Sequence, residues 1–412
     1  MPNLDPHHGI GTLVTHLGEM QNPLNAHVTP IYQTSTFSFP DVQTGAARFQ
    51  GEAPGYIYTR LDNPNFDQLA LKIAALEGLD LLRAQPERPI EEVVGGLVFA
   101  SGMAAVTAAI LARVKGGQTI IAQENIYSAT YNFLRDLAPQ YGVNVIFLED
   151  PSPEQWEAAF QAHPQTVLAY AETPANPNMS VVDLSTVAEI AHRSGALLMV
   201  DNTFATPFCQ RPLTLGADVV IHSTSKYLNG HGLVIGGAVV AKDPAWVKGP
   251  LFQMFKILGG CPSPFDAWIT NIGLKTFEVR MERHCSNALA VCRWLESHPK
   301  VERVYYPYLE SHPDYTLARK QMFCGGGMCA FELKGGLKAG AALMEHVRVS
   351  TLAVSLGNVD SLISHPASMS HSTVSPEIRR AMGISDGLVR YSIGIENVED
   401  LISDLEQALC FA

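Results

Sequence analysis

Three short stretches of this 412-residue chain carry side chains that could act together on a small molecule. The apolar run 196–200 leads into Asp201-Asn202-Thr203, and 218–221 leads into His222-Ser223-Thr224-Ser225-Lys226. A third run, 97–100, leads into Ser101-Gly102-Met103. Alone, each has a commoner reading: an Asp ending a strand as a turn or cap residue, a loop Lys as a solvated charge, a Gly serving the turn. Together they supply a carboxylate, an amine and a hydroxyl-rich anion site. Pyridoxal 5′-phosphate (PLP) requires that set: a lysine for the imine, an acid to keep its ring nitrogen protonated, and a helix terminus with hydroxyls for its phosphate. The lysine must also leave its ordinary pKa of ~10.4, by desolvation or beside a cation, to work near neutrality.

Such a site needs strands whose carboxyl ends share one rim. Apolar runs at 97–100, 119–122, 143–148, 167–170, 196–200, 218–221 and 233–240, with helix-like stretches in most gaps, predict them. Strands apolar on both faces and alternating with helices imply an α/β fold, its mostly parallel seven-stranded sheet covered by helices. Ahead of them Phe66, Leu69, Ala70, Ile73 and Leu76 keep helical spacing, and Gly78 closes that helix. The rhythm breaks at Cys261-Pro262-Ser263-Pro264. Beyond it, a strand at 328–333 and an amphipathic helix through Val398, Leu401, Ile402, Leu405 and Leu409 predict a smaller α+β domain. Residues 1–60, with prolines at 23, 30, 40 and 54, form an arm that must pack on its own body or on a neighbouring subunit. The divisions are thus an arm (1–60), an α/β domain (61–262) that would hold the cofactor, and a C-terminal α+β domain (263–412).

Composition narrows the partners. Apolar residues are 47% of the chain, too many for a disordered one. Lys and Arg total 28 against 40 Asp and Glu, a net charge of −12 without a basic run, which suits neither nucleic acid nor an anionic membrane. The seven cysteines (209, 261, 285, 292, 324, 329, 410) are scattered and form no CxxC, so they read as buried thiols of a reduced, cytoplasmic protein rather than a disulfide framework or a zinc site. Residues 93–112 carry no charge over a span long enough to cross a bilayer, yet glycines and hydroxyls interrupt them. They read as a buried strand and helix. The first residues show no basic region followed by an apolar stretch, so no secretory signal is expected.

The chain also resembles the PLP-dependent enzymes of cysteine and methionine metabolism (the trans-sulfuration family), which have fold type I. The matching segments, in family order, are YTRLDNPN at 58–65, SGMAA at 101–105, ETPANPN at 172–178, VDNTFATP at 200–207, HSTSKYLNGHG at 222–232, SLGNVDSLISHPASMSH at 355–371 and LVRYSIGIE at 388–396. The resemblance implies a fold type I PLP-dependent transferase fold. It implies Lys226 as the imine lysine and Asp201 as the partner of the pyridinium nitrogen. Gly102 and Met103 would give backbone N–H groups to the phosphate, with the hydroxyls of Ser223 and Ser225. Tyr127 would stack on the cofactor ring and move protons, and Asn176 would lie near the ring hydroxyl. Arg390 would clamp the substrate carboxylate beside Ser355. Tyr58 and Arg60 would reach a neighbouring subunit's phosphate site, which gives the arm a purpose. Homotetramers built from dimers with shared sites are usual in the family, and the substrate would be a small amino acid.

Rival readings fit less of the chain. Ser223-Thr224-Ser225-Lys226 is formally the S-x-x-K of serine acyl transferases, but their K-T-G element is missing: Lys275-Thr276 is followed by Phe277. The glycines at 230, 232, 236 and 237 do not fit a dinucleotide loop. A PLP-fold binding module without turnover does not call for the full set of polar roles. Within the family, loss of a γ-substituent makes a lyase, and its replacement by a thiol makes a synthase or sulfhydrylase. Val354 stands where members handling cystathionine carry a glutamate, and residues 365–377 look closest to methionine γ-lyases. Ala129 replaces the cysteine usual in those lyases, Leu233 an aspartate and Asn65 a threonine, so an O-acylhomoserine sulfhydrylase stays open. The expectation is α,γ-elimination of methionine, with no metal.

Overall fold

The computed structural model describes residues 8–19, 22–175, 178–369, 372, 375, 377, 379 and 383–412. Strands β1 (Gly95–Phe99), β2 (Thr119–Gln123), β3 (Asn144–Leu148), β4 (Thr166–Glu172), β5 (Leu197–Asp201), β6 (Val219–His222) and β7 (Gly237–Ala241) form one sheet in the order β1-β7-β6-β5-β4-β2-β3. Of these seven only β7 runs against the others. The register levels the carboxyl ends. Val98 and His222 both face Ala238, Asp201 pairs with Ile221, and Glu172 pairs with Asp201.

The run at 233–240 becomes a strand only from Gly237, and Leu233 and Ile235 are exposed. The reason is a competing set of bonds. Gly236 donates its N–H to Ser225 Oγ (2.9 Å) and accepts from the N–H of Thr224 (3.0 Å), which fastens it to the turn after β6.

Helices cover both faces of the sheet. The Pro64–Glu77 helix begins where the Asn63 side chain accepts the Asn65 N–H (3.0 Å), with Pro64 pre-set for the first turn. Its Ile73 and Leu76 are buried with Val98 and Val240 on one face. The Gly102–Arg113 helix lays Ala105, Ala109 and Ile110 against Ile221 and Val239 on the other. Trimming a fully buried isoleucine here to alanine would cost about 2–5 kcal/mol. Residues 93–112 are thus mostly a strand and a helix, and no described helix is long and apolar enough to cross a membrane.

A second sheet, in the order β10-β11-β12-β9-β8, consists of β8 (Val301–Tyr305), β9 (Met328–Leu333), β10 (Thr351–Leu352), β11 (Leu362–Ser364) and β12 (Leu388–Ser392). Leu401, Leu405 and Leu409 of the Val398–Leu409 helix pack on its Phe331 and Val389, together with Val291 and Leu295 of the Phe277–Ser297 helix. The Pro264–Leu274 helix, just past the Pro-rich break, packs on Pro64–Glu77.

The arm lies against its own chain. Asn65 accepts from the Tyr32 N–H (2.8 Å) and donates to Pro30 O (2.9 Å), and Trp268 Nε1 donates to Thr29 O (2.9 Å). The departure from threonine at 65 thus holds the arm's backbone.

Candidate active site

β5 ends in Asp201, 9% exposed, whose Oδ1 accepts the Thr203 N–H at 3.0 Å. Burial pushes its carboxyl above the usual range, opposed by the Thr203 hydrogen bonds and the nearby His222. Thr203 Oγ1 in turn accepts the Ser223 N–H (2.9 Å), so the turn after β5 aligns the turn after β6.

Ser101 caps the Gly102–Arg113 helix by accepting the Ala104 N–H (3.1 Å). The N–H groups of a first helical turn have no partner within the helix, so those of Gly102 and Met103 could hold an anion. A Cβ on Gly102 would stand 2.9 Å from Ser223 Cβ, so only glycine lets this terminus close on Ser223. Ser225 lies in the same turn, and its hydroxyl oxygen holds the Gly236 N–H.

Lys226 projects from that turn and donates to Ser355 Oγ at 3.0 Å. Ser355 O accepts from Arg390 Nη2 at 3.1 Å, so amine, hydroxyl and guanidinium form one chain of contacts. Burial lowers the Lys226 pKa and the Arg390 charge lowers it further. Burial also lowers that of Arg390, opposed by Tyr127 and Tyr227. Ser355 has φ 100°, a backbone region that disfavours side chains, and such strain concentrates at functional sites. Two residues on, Gly357 has φ 75°, and a Cβ there would lie 2.6 Å from Tyr227 N. The loop is therefore pressed directly onto the lysine turn.

Tyr127 is 51% exposed at the start of the Ser128–Asn132 helix, and its N–H donates to Glu172 Oε2 at 2.7 Å. Glu172, buried at the end of β4, is fixed by Gln123, which donates to its carbonyl (3.0 Å) and accepts from its N–H (3.2 Å). Behind Asp201 a second buried group forms: Glu77 Oε1 meets His222 Nε2 at 2.6 Å and accepts from Asn202 Nδ2 at 2.7 Å. Sequence reasoning passed over Glu172, Gln123 and Glu77. The signal for Glu172 was its position at a buried strand's end, while Glu77 gave none, since it closes an amphipathic helix.

Lys226, Asp201, Gly102, Met103, Ser223 and Ser225 thus lie just past the carboxyl ends of β1, β5 and β6, with Tyr127 held by Glu172 at the end of β4, while Ser355 and, from β12 of the second sheet, Arg390 meet them through Lys226. Tyr58 and Arg60 do not join them through the described contacts: the Arg60 guanidinium lies 5.7 Å from the Tyr58 ring centroid and donates to Lys256 O (2.7 Å). Asn176 lies outside the described residues.

These residues fit PLP. A carboxylate as buried as Asp201 is costly unless a cation meets it, and a protonated pyridine nitrogen is such a cation. His222 Nδ1, buried without a hydrogen-bond partner, leaves polar capacity beside that carboxylate. The capped helix terminus against Ser223 suits a phosphate, and the partly desolvated amine suits an aldehyde.

A family model described as Cys/Met metabolism PLP-dependent enzyme matches residues 11–410. The chain is 48% identical over 402 residues to an L-methionine gamma-lyase of Porphyromonas gingivalis, covering 97% of each. It is 45% identical to an L-methionine gamma-lyase of Fusobacterium nucleatum, covering 97% of this chain and 98% of that one. The solved structure of a cystathionine gamma synthase from Xanthomonas oryzae pv. oryzae, in complex with cystathionine, matches with a TM-score of 0.88 at 39% identity over 98% of both chains.

Proposed function

This chain belongs to the Cys/Met metabolism PLP-dependent enzymes, and on that premise we propose that it eliminates the γ-alkylthio group of L-methionine or a close homologue. One water is consumed, and the products are a thiol, 2-oxobutanoate and ammonia. Its cofactor is pyridoxal 5′-phosphate, which when bound withdraws electrons from the substrate's α-carbon and so acidifies the protons beside it.

The chain's own residues supply the rest. Gly102, Met103, Ser223 and Ser225 would hold the phosphate, Asp201 the ring nitrogen and Lys226 the aldehyde. Lys226, its charged form disfavoured by burial and by Arg390, moves protons at the α- and β-carbons. Tyr127, placed by Glu172, gives a proton to the departing sulfur. Arg390, held by Ser355 O, takes the substrate carboxylate as a planar two-toothed donor. The observation that carries the choice of substrate is Val354, 63% exposed and adjacent to the Ser355 that ties Lys226 to Arg390. An aliphatic side chain there favours a small thioether over the distal ammonium of cystathionine.

Apolar side chains left uncovered along the arm, Leu24, Val42 and Phe49 among them, support a homotetramer of dimers. In that assembly the arm, residues 1–60, would carry Tyr58 and Arg60 to a neighbour's phosphate site. Residues 61–262 would form the cofactor domain and 263–412 the C-terminal one. Scattered free thiols support a cytoplasmic setting.

The test offers methionine, homocysteine, cystathionine and O-acetylhomoserine to the purified holoenzyme and measures keto acid and thiol. Keto acid from methionine is expected. Its absence, with thiol-dependent turnover of O-acetylhomoserine, would replace this reading by γ-replacement, the activity of a sulfhydrylase or cystathionine γ-synthase. 2-Oxobutanoate from cystathionine alone would assign cystathionine γ-lyase. Lys226→Ala is expected to abolish the absorbance of lysine-bound cofactor, and an unchanged spectrum would mean that another amine holds it.

A further inference from the structure

Cys209, Cys285 and Cys324 lie 76, 39 and 115 positions apart in pairs, yet the fold gathers their sulfurs. Cys209 ends the short Thr206–Cys209 helix that follows the Asp201 turn, Cys285 sits on the Phe277–Ser297 helix, and Cys324 precedes the glycines leading into β9. The N–H of Phe323 donates to Cys209 O at 2.7 Å, which draws the third element onto the first. The sulfur separations are 3.7 Å (209–285), 3.4 Å (285–324) and 3.2 Å (209–324). Spacing along the chain hides this cluster, because each thiol comes from a different element.

We propose that these three cysteines bind one soft, thiophilic cation per chain, monovalent copper above all. Among the described residues, the ligand atoms that gather within 4.8 Å of one another are these three sulfurs, without a histidine or carboxylate. Structural zinc takes four ligands, one more than this cluster offers, whereas three soft sulfurs suit monovalent copper. Sulfurs around an ion at metal–sulfur distances of about 2.3 Å stand about 3.8–4.0 Å apart, so the cluster must open by about 0.1–0.3 Å at its widest pair and about 0.6–0.8 Å at its narrowest. Cys209 and Cys285 are buried, and Cys324 lines a surface cavity of about 380 Å³ with Phe208, Phe323 and Arg211. That cavity is the entry path, and through it each sulfur that binds as a thiolate releases its proton to solvent. Arg211 does not repel the ion as a bare charge, because Asp80 pairs with it at 2.6 Å. The site is separate from the Lys226 rim but touches its supports: His284, beside Cys285, packs edge-on against Tyr227 (5.1 Å).

The experiment titrates holoenzyme with copper(I) buffered by bicinchoninate, without oxygen, in a Cys410→Ser background that removes the exposed thiol. One copper per chain is expected, with X-ray absorption showing three sulfur neighbours. Cys324→Ser and Cys285→Ser should each lose that equivalent. Should either variant fail to fold, the sulfur count on the parent protein still decides. Nitrogen or oxygen neighbours, fewer sulfurs, no binding against the chelator, or undiminished binding in a folded Cys324→Ser variant would each overturn the assignment.

Discussion

A lysine works as a base near neutrality only when its charged form is disfavoured, and Lys226 has two causes for that, burial and the Arg390 guanidinium. Taking away the second has a definite sign. Arg390→Gln lets the Lys226 pKa rise, so the acidic limb of the kcat profile, which reports the amine once substrate is bound, moves to higher pH. Because the carboxylate clamp is lost too, kcat/KM for methionine should fall about 100-fold, mostly through KM. A profile that stays in place would separate the two residues. Glu172 acts through Tyr127: Glu172→Ala leaves the Tyr127 N–H without its acceptor and should lower kcat about tenfold with KM little changed, while Glu172→Gln recovers most of it. Lys226, Asp201 and Arg390 were legible because each sits in a recognisable segment, two of them just past apolar runs. Glu172 and Glu77 were not, because their partners are set by the pairing of β2, β4, β5 and β6, which one sequence does not display.

Among the elements, the two-sided apolar strands announced the sheet, but not that β7 runs backwards. A strand buried on both faces reads the same in either direction, and its true start depended on Gly236 bonding to Ser225. The Phe277–Ser297 helix hides a pH response. His284 on it is buried, its Nδ1 is 2.6 Å from Ile393 O, and desolvation lowers its pKa from 6.5 to about 4. The unfolded chain therefore binds a proton that the folded chain refuses between those two values. Stability from this group is complete above pH 6.5 and drains as pH falls towards 4, by up to about 3 kcal/mol. Denaturant unfolding from pH 7 to 4 should show that loss in the parent protein and a shallower one in His284→Gln. Equal slopes would remove His284 as the cause.

At the scale of the molecule, the prolines located the arm, but the contacts that hold it became visible only with Asn63, Asn65 and Trp268 in place. If Tyr58 and Arg60 serve a neighbour, inactive partners should rescue each other. Mixing and reassociating Arg60→Ala with Lys226→Ala chains should restore about a quarter of parental activity, because half the dimers then hold one intact site of two. No recovery would confine Arg60 to its own subunit. The way the arm is fastened bears on how such a protein comes together. Asn65 grips Tyr32 and Pro30, Asn63 donates to Tyr32 O, and Trp268 grips Thr29, all within one chain. If protomers pair through the arm, each would meet its mate with that surface already shaped, and little ordering entropy would be left to spend on contact. Recombination after dilution should follow simple second-order kinetics without a lag.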